Sequence, residues 1–395
     1  MLKGKMLIGQ SGGPTAVINA SLVGAILEAR RHGSITAVLG ARHGIAGIMK
    51  EDFVDLTTPS VEFLENVAAT PAAALGSVRL KPGREECQKV FEVFQKHDVR
   101  FFFYIGGNDS AETAYIISEM AKEAAYDFCT VHIPKTIDND LRVTDHCPGF
   151  ASAAKFVALA FMGDDRDNRA LSGVKINVVM GRHAGFLTAA SALARQSEGD
   201  GPHLIYLPER VFDTEKFKQD VRAVMDRLGR CVVAVSEGVA DANGQPIASS
   251  GERDSHGNVQ LSGTGALGDY LSALVKEAFA GDSVRVRADT FGYLQRSFPT
   301  IVSSVDAKEA REVGAFGVQH AVHMGESGSV AIKRESSQPY ASRYFMTPLA
   351  SVAREATEMR AEFIAESSND VTQAWIEYVA PLVGDLPTMA GFDGL

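Results

Sequence analysis

The chain has 395 residues, 45% of them hydrophobic and 22% charged, with a formal net charge of −10. That length supplies material for two cores rather than one. The acidic balance excludes the broad basic surface that a nucleic-acid binder presents, so an anionic ligand has to meet a local cluster of cations. The four cysteines (Cys87, Cys129, Cys147, Cys231) are widely spaced and form no CxxC pair. A disulfide framework and a zinc site are therefore disfavoured, and a reducing cytoplasm is the expected location. No apolar run approaches the ~20 residues of a membrane span, and since MLKGKMLIGQSGG reads directly as a strand, no signal peptide is expected.

In chain order, short apolar runs read as strands at 5–9, 101–105, 128–133, 175–180, 203–207, 231–236 and 283–288, with another beginning at Ser329. Between them lie segments of helical period. In PTAVINASLVGAILEARR, Val17, Ile18, Leu22, Ile26 and Leu27 fall on one face. Further helices are expected near 110–125, 183–195, 214–228, 265–279 and 305–320. Continuous apolar strands alternating with helices predict parallel sheets covered on both faces, the doubly wound α/β class. The polar stretch 241–265, with its NG and HGN turns, reads as a surface excursion or hairpin.

Four glycine-bearing turns follow predicted strands, at the C-terminal ends where α/β folds hold ligands. The first, IGQSGGPTA, offers Gly12 and Gly13 for close backbone approach to a phosphate ahead of a helix N-terminus. It matches neither GxGxxG nor GxxxxGK[ST], and an ordinary structural turn accounts for it as well. The second, IGGNDS, is a phosphate-type turn that carries a carboxylate, Asp109, beside Asn108. The third is PKTIDND. Here Lys135, Thr136, Asp138 and Asp140 combine a cation, a hydroxyl and two acids, the parts that phosphoryl transfer to an alcohol requires. An Asx-rich turn is the plainer account, but so compact a group at a strand end favours chemistry. The fourth, VVMGRHAGF, sets Arg182 just after Met180 and Gly181, where a guanidinium can grip a phosphate. Downstream, SEG places Glu237 at a strand end, and GYLQR follows Arg287 with Tyr293 and Arg296. Arg79 lies in LGSVR. Taken singly, each of these has an ordinary surface or core explanation.

The ordered set SGG, LGSVR, GGNDS, PKTIDND, MGR, SEG and GYLQR resembles the phosphofructokinase family over about residues 5 to 340, and within it the pyrophosphate-dependent branch. The resemblance implies two doubly wound, mainly parallel-sheet domains with the active site between them. They would comprise residues 1–149 with 295–346, holding the phosphoryl donor, and 150–294 with 347–395, holding the sugar phosphate. It implies Mg²⁺-dependent, reversible transfer from pyrophosphate to the 1-hydroxyl of fructose 6-phosphate, in a cytoplasmic homodimer or homotetramer that binds neither nucleic acid nor membrane.

Position by position, Asp138 matches the general base, and Thr136, Lys135 and Arg182 match groups that contact the transferring phosphoryl. Gly13, Arg79, Asp109 and Lys135 match the donor site. Met180, Gly181, Arg182 and Glu237 match sugar contacts, and Arg287, Tyr293 and Arg296 the pocket for the 6-phosphate. Asp140, with Asn108 and Asp109, matches the metal-supporting positions, although Asn108 replaces an acid and implies a weaker or water-mediated contact. An arginine expected shortly before MGR, supplied across a subunit interface, has only Lys175 near its place.

ATP-using relatives have glycine at the positions of Asp109 and Lys135, so both residues read as a refusal of the nucleotide. The alternatives are an ATP-dependent phosphofructokinase, which Asp109 and Lys135 oppose, and a lipid or NAD kinase, which leaves PKTIDND, MGR and GYLQR unexplained. A noncatalytic regulatory subunit is the third. It is opposed by the presence of Asp138, Asp140, Arg182 and Arg296.

Overall fold

The computed structural model describes residues 2–248, 265–353 and 355–391. In chain order it runs β1 (Gly4–Gln10), α1 (Ile18–Ala29), β2 (Ile35–Ala41), α2 (Gly44–Met49), β3 (Phe53–Asp55), α3 (Val61–Ala69), α4 (Arg84–His97), β4 (Val99–Gly106), α5 (Asn108–Glu123) and β5 (Cys129–Pro134). There follow α6 (Phe150–Ala170), β6 (Val174–Val179), α7 (Phe186–Ala190), β7 (Leu204–Tyr206), α8 (Thr214–Leu228), β8 (Cys231–Ser236), α9 (Ala266–Ala278) and β9 (Val286–Thr290). The chain ends with α10 (Ser304–Met324), β10 (Gly328–Ser337), β11 (Tyr340–Thr347) and α11 (Gln373–Val383).

Two compact units divide these elements. One comprises Met1–Ser152 and Arg296–Thr357, the other Ala153–Gln295 and Glu358–Leu395. The last division falls later than the expected 347, because the intervening segment keeps its bonds to the first unit. Ala356 bridges Leu141, and Thr357 N donates to Asp140 O at 2.7 Å.

The first unit holds a seven-stranded sheet in the order β11-β10-β5-β4-β1-β2-β3. Its inner pairings are parallel, and β3 and β11 join the edges antiparallel. The run RFFFYI explains why the sheet is buried on both faces. Phe101, Phe103 and Ile105 enter one core with Ile8, Leu22, Ile26 and Val131. Phe102 and Tyr104 enter the opposite core with Leu7, Ile45, Phe94 and Ile117. Strand period two sends alternate residues to opposite faces, so an unbroken apolar run means two covered faces. Helices α1 and α10 cross at van der Waals distance because Gly24 and Gly314 have no side chain. A Cβ on either would stand 2.1 Å from a carbonyl oxygen of the other helix, Arg311 O or Ser21 O.

Phe102→Ala is expected to cost about 3–5 kcal/mol of unfolding free energy, as large core truncations do. Phe63→Ala, at a position 58% exposed on α3, serves as the control at about 0.5 kcal/mol or less. Urea unfolding of the two variants checks the contrast.

The second unit holds a four-stranded, all-parallel sheet in the order β7-β8-β6-β9. Helix α8 shows how sequence sets its limits. Asp213 accepts from Glu215 N and Lys216 N at the start, and Gly229 at φ +68° ends it. Between them Phe217, Val221 and Val224 share the buried face. The expected strand at 283–288 begins later, at Val286, since Asp282 and Val284 are tied into a turn by backbone bonds to Phe279 and Asp282. The expected helix near 183–195 is a short α7 followed by a 3-10 turn, Ser191–Ala194. Of the polar excursion, the NG turn is a tight loop closed by an Asp241 N to Gln245 O bond. The HGN portion lies outside the described residues.

Candidate active site

Strands β5, β4 and β1 are neighbours in parallel, so the turns at their C-terminal ends stand side by side, roughly 4.8 Å apart at the strand ends. Backbone bonds carry the ladder past the strands: Ser11 N donates to Ile105 O at 2.9 Å and Lys135 N to Gly106 O at 3.0 Å. The LGSVR segment is tied to the same corner, with Gly12 N donating to Val78 O at 3.1 Å and Ser77 Oγ to Gly12 O at 2.6 Å.

Into this corner goes Lys135. Its side chain is buried and its Nζ donates to Gly13 O at 2.8 Å. Burial, together with the guanidinium of Arg296, holds its pKa down at about 8, against the opposing pull of Asp138 and Asp140, and Arg79 lowers it further. Arg296 lies against the first turn: a Cβ on Gly13 would be 3.2 Å from its Cζ. Thus Gly13, Lys135, Arg79 and Arg296 form one cationic corner inside an acidic protein.

The acids stand on the same turn. Asp138 N donates to Thr136 Oγ1 at 3.1 Å, so the threonine hydroxyl shapes the bend. Asn139 takes a left-handed conformation at φ +57° and accepts Cys147 N at 2.9 Å. Desolvation, and then the charge of Asp138, push Asp140 up to about 7, with Lys135 and the Thr136 hydroxyl pulling the other way. Two such carboxylates side by side repel each other, and a divalent cation would let both stay ionised.

Asn108 and Asp109 open α5, and Asn108 Oδ1 accepts Asp109 N at 2.9 Å. The Asp109 side chain is 60% exposed and pairs with Lys81 at 3.1 Å. Lys81 also reaches Glu112 at 2.9 Å. Sequence reasoning missed this lysine, although it stands only two positions after Arg79. Among the described residues no group of three or more His, Cys, Asp or Glu is gathered around a metal position. A metal here would rest on Asp140 and on phosphate oxygens more than on a protein cage.

In the second unit, β6 and β8 end together. Glu237 N donates to Val179 O at 2.9 Å and Ser236 Oγ to Gly181 O at 2.5 Å. Gly181, at φ +144°, could carry no side chain: its Cβ would lie 2.6 Å from Ala184 O. Met180 and Glu237 are buried and Arg182 partly so. Buried Gln295 braces this turn, accepting Met180 N at 3.3 Å and donating to Gly292 O at 2.7 Å. Its role too was missed, although GYLQR contains it.

Arg287 and Tyr293 belong to the second unit and Arg296 to the first. Arg287 is the second residue of β9, paired with Lys175 at the start of β6. Met180 is five residues further along, about 16 Å of strand. Tyr293 belongs to the 3-10 turn Gly292–Arg296 that follows β9, and Arg296 meets Gly13.

Phosphate-type turns, a buried lysine and paired acids at parallel strand ends are the parts of a doubly wound α/β phosphoryl transferase. The chain belongs to the phosphofructokinase family, whose model matches residues 5–321. It is 55% identical to the pyrophosphate–fructose 6-phosphate 1-phosphotransferase of Rhodospirillum rubrum, over 97% of this chain and 95% of that one. It is 40% identical to the protein of the same name from Xanthomonas campestris pv. campestris, over 100% and 95%. Among solved structures it is similar to the pyrophosphate-dependent phosphofructokinase of Nitrosospira multiformis, with TM-score 0.88, 36% identity, and 99% and 95% of the two chains covered.

Proposed function

We infer that the chain transfers a phosphoryl group reversibly between pyrophosphate and the 1-hydroxyl of fructose 6-phosphate, giving fructose 1,6-bisphosphate and phosphate. The names of its full-length relatives support the reaction. The observation that carries it at the site is Lys135, a buried cation held against Gly13 O within reach of the charges of Arg79 and Arg296. Such a corner suits a compact, highly charged diphosphate.

In this reading Asp138 accepts the proton of the sugar hydroxyl as the new P–O bond forms. Thr136 shapes the turn and donates to the phosphoryl group. Arg182, Met180 and Gly181 orient the acceptor, and Glu237 accepts from its hydroxyls. Arg296 neutralises phosphate beside the Gly13 turn. Asp140, with Asn108 through water, would hold Mg²⁺. When bound, the metal spreads the charge of the transferring group and lets both acids stay ionised. Arg287 and Lys175, remote along the sheet from the 180–182 turn, fit a site completed by a second copy, consistent with a homodimer or homotetramer. No described helix is long and apolar enough to cross a membrane, and we place the enzyme in the cytoplasm.

The test is turnover of fructose 6-phosphate with Mg²⁺ and either pyrophosphate or ATP. Pyrophosphate should be the efficient donor, and a preference for ATP overturns the reading. Lys135 adds a pH signature. In the free enzyme it loses its proton as pH rises through about 8, so kcat/KM for pyrophosphate should fall above that pH. Lys135→Arg stays charged and should lose that alkaline limb, whatever its absolute rate.

A further inference from the structure

The segment 144–149 has no assigned part in the reaction, yet the whole 136–140 turn leans on it. Thr136 N donates to Pro148 O at 3.3 Å, Thr136 bridges Gly149, and Asn139 Oδ1 accepts Cys147 N at 2.9 Å. This segment is itself fixed at a buried histidine. His146 is 2% exposed, with Nδ1 2.8 Å from Asp145 Oδ2 and Nε2 2.6 Å from Glu309 Oε2.

Carboxylates at both nitrogens require both to donate, which makes the ring an imidazolium. Helix α10 and strands β10 and β11 each contribute a charge or a donor beside it. From α10 come Glu309 and Asp306, the latter accepting Gly149 N at 2.8 Å. From β10 comes Arg334, 3.1 Å from Asp145. From β11 come Tyr340 and Ser342, which donate to Glu309 Oε1 at 2.7 and 2.5 Å. The residues just before His146 are strapped to β10, with Asp145 N donating to Ile332 O at 2.8 Å and Ile332 N to Thr144 Oγ1 at 2.9 Å.

We propose that His146 is a positioning residue for the reaction: its cationic ring clamps segment 144–149 to α10, β10 and β11, and this segment holds the 136–140 turn in its reactive shape. No substrate need touch the ring. Its effect reaches the reacting atoms through the Pro148, Cys147 and Gly149 contacts alone. The proposal rests on the reading of the 136–140 turn as the catalytic one. Burial opposes the charged ring, but the bonds to Asp145 and Glu309 prevail and push its pKa up to about 9. Because the folded value lies above the ordinary 6.5, the clamp is complete below that pH and is lost as pH rises through about 9.

His146→Asn and His146→Gln each retain one donor. The deserted carboxylate keeps other partners, Arg334 for Asp145 and Tyr340 with Ser342 for Glu309, so both variants are expected to fold. With both substrates saturating at pH 7, kcat should fall about tenfold or more, while both KM values stay within about threefold of wild type. The ratio of wild-type to variant kcat should shrink as pH rises from 7 to 9.5, since the wild-type ring discharges over that range. Amide hydrogen exchange should quicken at residues 136–140 and not across the sheet. Tyr340→Phe, which removes the hydroxyl bonded to Glu309 and 3.5 Å from His146 Nε2 but leaves both ring–carboxylate contacts, should show a weaker version of the same pattern and serves where the histidine variants do not fold. Asp138→Asn is assayed alongside. If it keeps wild-type kcat, the catalytic reading of the turn fails and takes the proposal with it. If it is inactive while folded His146 variants stay within twofold of wild type at pH 7, only the proposal fails. A kcat ratio constant with pH also overturns it, by showing that the ring's charge plays no part.

Discussion

Asp138→Asn is expected to lower kcat by about 10²–10⁴-fold, the range for loss of a general base. That corresponds to roughly 3–5 kcal/mol of transition-state stabilisation. The substitution preserves the turn, because the bond that shapes it runs from the backbone N of residue 138 to Thr136 Oγ1 and not from the side chain. Substrate binding should persist, so both KM values should change little while kcat and kcat/KM fall together, the pattern of a contact made only in the transition state. The neighbouring acid sharpens the interpretation. The charge of Asp138 is one of the causes that raise Asp140, so its removal lets Asp140 ionise more readily. A fall in rate then cannot be ascribed to a weakened acid at Asp140. If kcat stays within a factor of about three of wild type, the base lies elsewhere.

What could be read in the sequence followed from its strongest periodicities. The run RFFFYI had to be a strand covered on both faces, and Asp213 and Gly229 fixed the limits of α8. The strands that escaped are those whose local signal is diluted, whereas helices α2, α3, α4, α6 and α11 were also not among those expected. Ile35–Ala41 mixes alanine, leucine and glycine, β3 has three residues, and β11 is an edge strand with alternating exposure. The site divides in the same way. Turn residues whose chemistry is local, such as those of PKTIDND, can be singled out as candidates from sequence alone. Residues that act through distant partners did not. Lys81 meets Asp109 across 28 positions, Gln295 meets Met180 across 115, and His146 meets Glu309 across 163. Strand register also cannot be read from composition. It is register that sets Arg287 beside Lys175 and away from the 180–182 turn.

Donor choice should be reversible at two positions with effects of opposite character. Asp109→Gly removes a carboxylate that would repel the α-phosphate of a nucleotide, so use of ATP should appear or increase. The structure adds that this carboxylate is held by Lys81, which Glu112 also holds. With Asp109 gone, Lys81 keeps its second partner and does not swing free. The pair is exposed, so its loss should cost about 0–1 kcal/mol of stability, and a change in donor use cannot be put down to unfolding. Lys135→Gly acts on the other side of the comparison. It removes a buried cation from the Gly13 corner, and a charge-assisted contact of about 1.5–3 kcal/mol is lost to the diphosphate. On that scale kcat/KM for pyrophosphate should fall by about 10–150-fold. The double variant should favour ATP more than either single one, though residues on adjacent turns need not add. The measurement is kcat/KM for each donor with fructose 6-phosphate saturating and Mg²⁺ in excess, so that donor recognition alone varies. Should Asp109→Gly leave ATP unused while lowering pyrophosphate turnover, Asp109 is no gatekeeper. Its carboxylate then serves the metal or the fold, in place of the acid that Asn108 does not provide.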